Sequence, residues 1–100
     1  MSFKFLYYKK VKSTNDVAIR EIKKNCHSGV IVADKQSKGR GRYGNKWISL
    51  KGNLFMSIFF EINSKTPIRE ISRFNLRILK KTLQKFSSQK IIIKYPNDLL

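Results

Sequence analysis

The chain has 100 residues, 41% of them hydrophobic and 12% aromatic, and carries 22 Lys+Arg against 6 Asp+Glu for a formal net charge of +16. That length predicts one domain with a modest core, and the apolar content excludes a disordered polyelectrolyte. A lone cysteine, Cys26, rules out an internal disulfide and fits a reducing compartment, and no apolar run is long enough to span a bilayer or serve as a signal peptide.

In chain order, residues 3–11 are aromatic and apolar with lysines at the end, which predicts a strand. Ser13 or Thr14 then stands as an N-cap, with Asp16 in the first turn of a helix whose apolar side is Val17, Ala18, Ile19 and Ile22. Asn25 and Gly29 are the expected stop. The β-branched run GVIVAD at 29–34 reads as a buried strand, and it delivers the chain into a loop rich in glycine and cations. NLFMSIFFEI at 53–62 reads as a longer strand in the middle of a sheet. From 67 to 87 the positions Ile71, Phe74, Ile78, Leu79, Leu83 and Phe86 recur at three- and four-residue intervals, an amphipathic helix with a broad apolar face. Residues 91–95 are strand-like and Pro96 ends them. The order β, α, β, loop, β, α, β predicts an α+β domain with a mixed β-sheet and flanking helices.

The segment ADKQSKGRGRYGNKW at 33–47 packs five cations and three glycines before the one tryptophan. Glycines let backbone N–H groups approach a ligand, arginines offer donor forks for carboxylate or phosphate, and the indole offers a stacking face. The bland readings are a solvated flexible loop and a core tryptophan. KSTNDVA at 12–18 and KYPNDLL at 94–100 flank this segment, and alone they read as a helix cap and a turn. Cys26 and His27 are neighbours, but adjacent residues rarely face each other, and no further Cys or His completes a metal site.

Together the three blocks resemble the catalytic domain of biotin protein ligases from about Tyr8 onward. The resemblance implies the mixed sheet shared with class II aminoacyl-tRNA synthetases. It also implies ATP-dependent activation of biotin to biotinyl-5′-AMP and transfer to a lysine of a biotin carboxyl carrier domain. It places Ser13, Thr14, Asn15, Gln36, Gly39, Arg40, Gly41 and Arg42 at biotin. Arg40, Arg42 and Lys94 would stabilise charge during catalysis, Arg42 also retaining the adenylate. Trp47, Asn97 and Asp98 would hold ATP, with Asp98 a candidate Mg2+ ligand.

Tyr95 stands where the family usually has tryptophan. The resemblance further implies a truncated catalytic domain, without the family's later lysine motif, DNA-binding helix-turn-helix or C-terminal domain. Such a chain is expected to be inactive by itself, to pair with a separate downstream half if one exists, and to reside in the cytoplasm. Two alternatives stay open: a lipoate-protein ligase-like enzyme, which shares the adenylation logic, and a small basic nucleic-acid-binding protein, which would use the positive charge. Scattered lysines without a recognition-helix pattern weigh against the latter.

Overall fold

A computed structural model describes residues 3–95 and 98–100. It divides into two compact units, Met1–Glu61 and Ile62–Leu100.

The first unit is built on three strands in the order β1-β2-β5. β1 (Lys4–Val11) runs parallel to β2 (Gly29–Gln36), and β5 (Phe55–Phe59) is antiparallel to β2. A parallel pair needs a crossover, supplied by α1 (Thr14–Lys23). Ser13 caps α1, its Oγ accepting the Asp16 N–H, with Asp16 in the first turn and Arg20 and Lys23 in the last, as the macrodipole favours. Asn25 adopts a left-handed φ of 66°, the turn-out that a short amide side chain tolerates after a helix.

The buried stripe of α1 is Thr14, Val17, Ala18 and Glu21, spaced i, i+3, i+4, i+7. Ile19 and Ile22, expected on the apolar side, are instead about half exposed. Glu21 takes the inward place because Lys4 on β1 reaches its carboxylate at 2.5 Å, with Lys24 at 3.5 Å. Val17, Ala18, Ile31 and Phe59 form the core, with Leu6, Tyr8, Val11 and Cys26 packed around it.

β2, not β5, is the middle strand, which corrects the expectation for residues 53–62. Apolar residues on both faces of that run imitated a central strand, but Met56 and Ile58 point outward and are exposed while Phe55, Ser57 and Phe59 point inward. Gly29 explains how tightly β2 is held. A Cβ there would lie 2.6 Å from the Lys4 carbonyl oxygen and 2.9 Å from the Phe59 ring.

The glycine-rich loop folds back on itself. β3 (Gly39–Arg40) pairs with β4 (Lys46–Trp47) as an antiparallel hairpin, and the Asn45 N–H donates to the Arg42 carbonyl across its tight turn. Tyr43 and Gly44 take φ of 60° and 74° in succession, a combination that matches the twist of a tight hairpin.

In the second unit, α2 (Ile68–Gln84) is followed by a hairpin of β6 (Ile93–Lys94) and β7 (Asp98–Leu99). Reciprocal backbone bonds between Ile92 and Leu100 extend that pairing. Gln84 ties the connection, donating to the Gln89 carbonyl at 2.8 Å and accepting from the Ile91 N–H at 2.9 Å. The apolar period of α2 is present, yet Leu76 is its one buried residue, and Phe74, Ile78, Leu79, Leu83 and the following Phe86 are exposed. The mixed sheet and two helices fulfil the α+β expectation. Among the described residues no helix is long and apolar enough to cross a membrane.

Candidate functional site

The carboxyl ends of β1 and β2 and the N-terminus of α1 converge on one cluster of small polar side chains. β2 runs two residues beyond the expected strand, which brings Gln36 into register with Val11 and beside the start of α1. There the Thr14 N–H donates to Gln36 Oε1 at 2.8 Å, and Thr14 Oγ1 lies 3.1 Å from the same oxygen. Thr14 Oγ1 is also 2.7 Å from Ser57 Oγ on β5, and Ser57 Oγ donates to Asn15 Oδ1. Gln36 Nε2 donates to Ser49 Oγ at 3.1 Å. Ser13, Thr14 and Ser57 are buried, whereas Asn15 is exposed and Gln36 half-buried. Burying hydroxyls costs free energy unless they are paired, and among the described residues no buried side-chain polar atom lacks a partner.

The GRGR hairpin adjoins this cluster. A Cβ at Gly39 would sit 2.6 Å from Ser49 Oγ, 2.9 Å from the Trp47 carbonyl and 3.2 Å from Gln36 Nε2, so a side chain there would displace the groups that hold Gln36. Arg40 reaches back to α1, its Nη2 donating to Asp16 Oδ1 at 2.6 Å. That hydrogen bond and the guanidinium charge hold the Asp16 carboxyl below its usual range and raise the Arg40 pKa. Arg42 turns to its neighbour, donating to the Tyr43 hydroxyl at 3.2 Å with the guanidinium 5.0 Å from the ring centre. Trp47 is 61% exposed, so it is no core anchor, and its ring flanks the Gly41 backbone. An exposed indole on a hairpin that carries two arginines can accept a flat ring and a neighbouring anion once those arginines leave their present partners.

Of the residues singled out in the sequence, Ser13, Thr14, Asn15, Gln36, Gly39 and Arg40 therefore join one hydrogen-bonded or touching set with Asp16. Gly41, Arg42 and Trp47 lie on the hairpin that borders it. Lys94 and Asp98 belong to the second unit, where they face each other across the β6-β7 hairpin. Asn97 lies outside the described residues. Ser49 and Ser57 escaped sequence reading. Ser57 did leave a signal, being the one polar residue on the inward face Phe55, Ser57, Phe59. Cys26 and His27 turn to different partners, the thiol to the Ser28 carbonyl and the imidazole to Glu61 at 2.7 Å.

The profile of the biotin/lipoate A/B protein ligase family matches residues 7–100. The chain belongs to that family. The bifunctional ligase/repressor BirA of Escherichia coli is 32% identical over 92 residues, covering 89% of this chain and 28% of that protein. The biotin protein ligase of Aquifex aeolicus, solved in complex with biotin and ATP, superposes with a TM-score of 0.75 at 30% identity, covering 96% of this chain and 40% of that one. The biotin acetyl coenzyme A carboxylase synthetase of Helicobacter pylori, solved with bound biotinylated ATP, gives a TM-score of 0.78 at 26% identity, covering 96% and 48%. The chain thus spans less than half the length of these relatives. Its place among ligases gives the polar cluster and the GRGR hairpin a chemical context that their geometry alone does not name.

Proposed function

We propose that this chain is the biotin-receiving and adenylate-forming part of a biotin protein ligase. The observation that carries the reading is the Thr14, Asn15, Gln36 and Ser57 cluster beside the GRGR hairpin, in a family whose solved relatives hold biotin with ATP or biotinylated ATP. Biotin's ureido ring needs donors and acceptors at close quarters, which amides and hydroxyls supply.

In the first half-reaction a biotin carboxylate oxygen attacks the α-phosphorus of ATP, the bond to the bridging oxygen breaks, and pyrophosphate leaves. Biotinyl-5′-AMP remains. A carrier lysine Nζ then attacks the acyl carbon, AMP departs with its oxygen, and the lysine loses a proton. Negative charge accumulates at phosphorus in the first step, and Arg40, Arg42 and Lys94 are the cations assigned to it. Arg42 further retains the adenylate. Ser13 and Gly41 complete the biotin-binding set, Trp47 stacks on adenine, and Asn97 and Asp98 hold the triphosphate.

ATP arrives with Mg2+, which keeps several waters and asks the protein for one or two carboxylates. No group of three metal-ligating side chains is present among the described residues, while the exposed carboxylate Asp98 fits that smaller demand. The ion would neutralise phosphate charge when bound. The acceptor is a biotin carboxyl carrier protein or domain, and the setting is the cytoplasm.

Residues 1–100 alone are proposed to bind but not to turn over, because the chain spans less than half the length of its ligase relatives. Calorimetry with biotin, lipoate and ATP on the 100-residue chain tests the ligand. Biotin should bind more tightly than lipoate, and the reverse order would assign the chain to the lipoate branch. Salt-sensitive binding of nucleic acid with no response to biotin would replace both.

A further inference from the structure

We infer that Ser57 is a positioning residue that fixes which way the ligand-facing amide of Asn15 points. Proton counting carries the inference. Thr14 and Ser57 bring two hydroxyl protons, and three contacts compete for them: Thr14 with Gln36 Oε1, Thr14 with Ser57, and Ser57 with Asn15 Oδ1. Amide oxygens supply no proton. Gln36 Oε1 already accepts the Thr14 main-chain N–H at 2.8 Å, and its contact with Thr14 Oγ1, at 3.1 Å, is the longest of the three.

Asn15 Oδ1 can only accept, so the Ser57 proton goes to it, and the Thr14 proton serves the shorter of its own two contacts. Thr14 donates to Ser57, and Ser57 donates to Asn15 Oδ1. Once Oδ1 is engaged below, the Asn15 Nδ2 group faces outward, and it makes no hydrogen bond to the described residues. Gln36 is oriented likewise. Its Oε1 is held by Thr14 and one Nε2 hydrogen by Ser49, leaving the other hydrogen free. The site thus presents N–H donors from two side chains, an edge suited to a carbonyl oxygen of the ligand such as the ureido oxygen of biotin.

Ser57 reaches this edge only through Asn15 and Thr14. Without its hydroxyl, the Thr14 proton is free to turn to Gln36 Oε1, and the Asn15 amide loses the donor that holds it. Ser57 is buried on an inward strand position, so an alanine fits without overpacking, and a threonine restores the hydroxyl on a β-branched side chain that suits a strand.

The experiment has two arms on the 100-residue chain, and only the second rests on the biotin reading. In the first, nitrogen-15 relaxation of the Asn15 side-chain amide, identified by its loss in Asn15→Asp, is measured without ligand. The amide should be as ordered as its backbone in the parent chain, loosened in Ser57→Ala, and ordered again in Ser57→Thr, with backbone spectra unchanged away from β5. An Asn15 amide indifferent to Ser57→Ala overturns the inference. In the second arm, calorimetry should show biotin binding weakened roughly fivefold to tenfold in Ser57→Ala, the worth of one hydrogen bond, and recovered in Ser57→Thr. Affinity unmoved by Ser57→Ala also overturns it. A parent chain that ignores biotin while its Asn15 amide responds as described overturns the ligand reading and supports the positioning role.

Discussion

The two units show that an apolar pattern creates a demand for burial and a partner satisfies it. In Met1–Glu61, α1 has a narrow apolar stripe, yet Val17 and Ala18 are buried against Ile31 and Phe59, and Ile31 is wholly sequestered. In Ile62–Leu100, α2 is longer and more regularly amphipathic, yet only Leu76 is buried along it. The difference lies in β2, which pairs on both sides and gives α1 a floor. The polar cluster is in the unit with that floor, where its hydroxyls pair with one another and with the amides of Asn15 and Gln36.

The largest expected effect that tests this contrast is Ile31→Ala. It should cost about 2–5 kcal/mol by the lost transfer free energy and the cavity left in a packed site. Urea unfolding, followed by loss of far-UV signal, checks it. Leu83→Ala on the exposed face of α2 should cost no more than about 1 kcal/mol in the same assay, since half of that side chain already faces solvent. Equal costs would erase the contrast.

Hydrogen exchange sharpens it at the level of single amides. The β2 amides should exchange through the rarest openings, and those of α2 and the β6-β7 hairpin far more readily, because few buried contacts hold them. A next smaller effect is expected at Thr14→Val. This removes the hydroxyl from a buried polar chain and leaves the Ser57 oxygen without its donor, for a loss of about 1–3 kcal/mol.

The pH response also belongs to the first unit. Lys4 holds the Glu21 carboxyl below its ordinary 4.5, and Arg40 holds Asp16 below 3.8, in each case chiefly through a side-chain hydrogen bond. A carboxyl with a depressed folded-state pKa gives stability that is fully present above the unfolded value and is lost as pH falls through the folded one. Stability should therefore be flat on this account from neutral pH down to about 5 and decline below about 4.5. Glu21→Gln should flatten part of that decline, as seen in thermal unfolding across pH. The smallest effect is Arg42→Ala, which should change stability by less than about 0.5 kcal/mol because its partner is the adjacent Tyr43 on an exposed turn.

Much of the first unit was legible in the sequence because local rules and packing agree there. Ser13 caps, Asn25 ends the helix, and 29–34 is a strand for the reasons that composition gave. The polar cluster was half legible. Ser13, Thr14, Asn15 and Gln36 were marked by family resemblance, while Ser49 and Ser57 join them only through pairing that spans 13 to 43 positions of sequence separation. The place of β5 at the edge was not legible, since Met56 and Ile58 look the same in a strand whether or not anything covers them. Glu21 was hidden for a related reason, as only the position of Lys4 makes an inward carboxylate tolerable. Lys94 and Asp98 read as a site by resemblance, and their structure is a short hairpin that pairs them.

The most direct test of the central claim is a biotin titration of nitrogen-15-labelled chain, followed residue by residue. The account predicts saturable shifts at Ser13 to Asn15, Gln36, Gly39 to Arg42, Ser49 and Ser57, with β2 core residues such as Ile31 moving little. Saturation without any change at Thr14, Asn15 and Gln36, or the absence of any response to biotin, would contradict it.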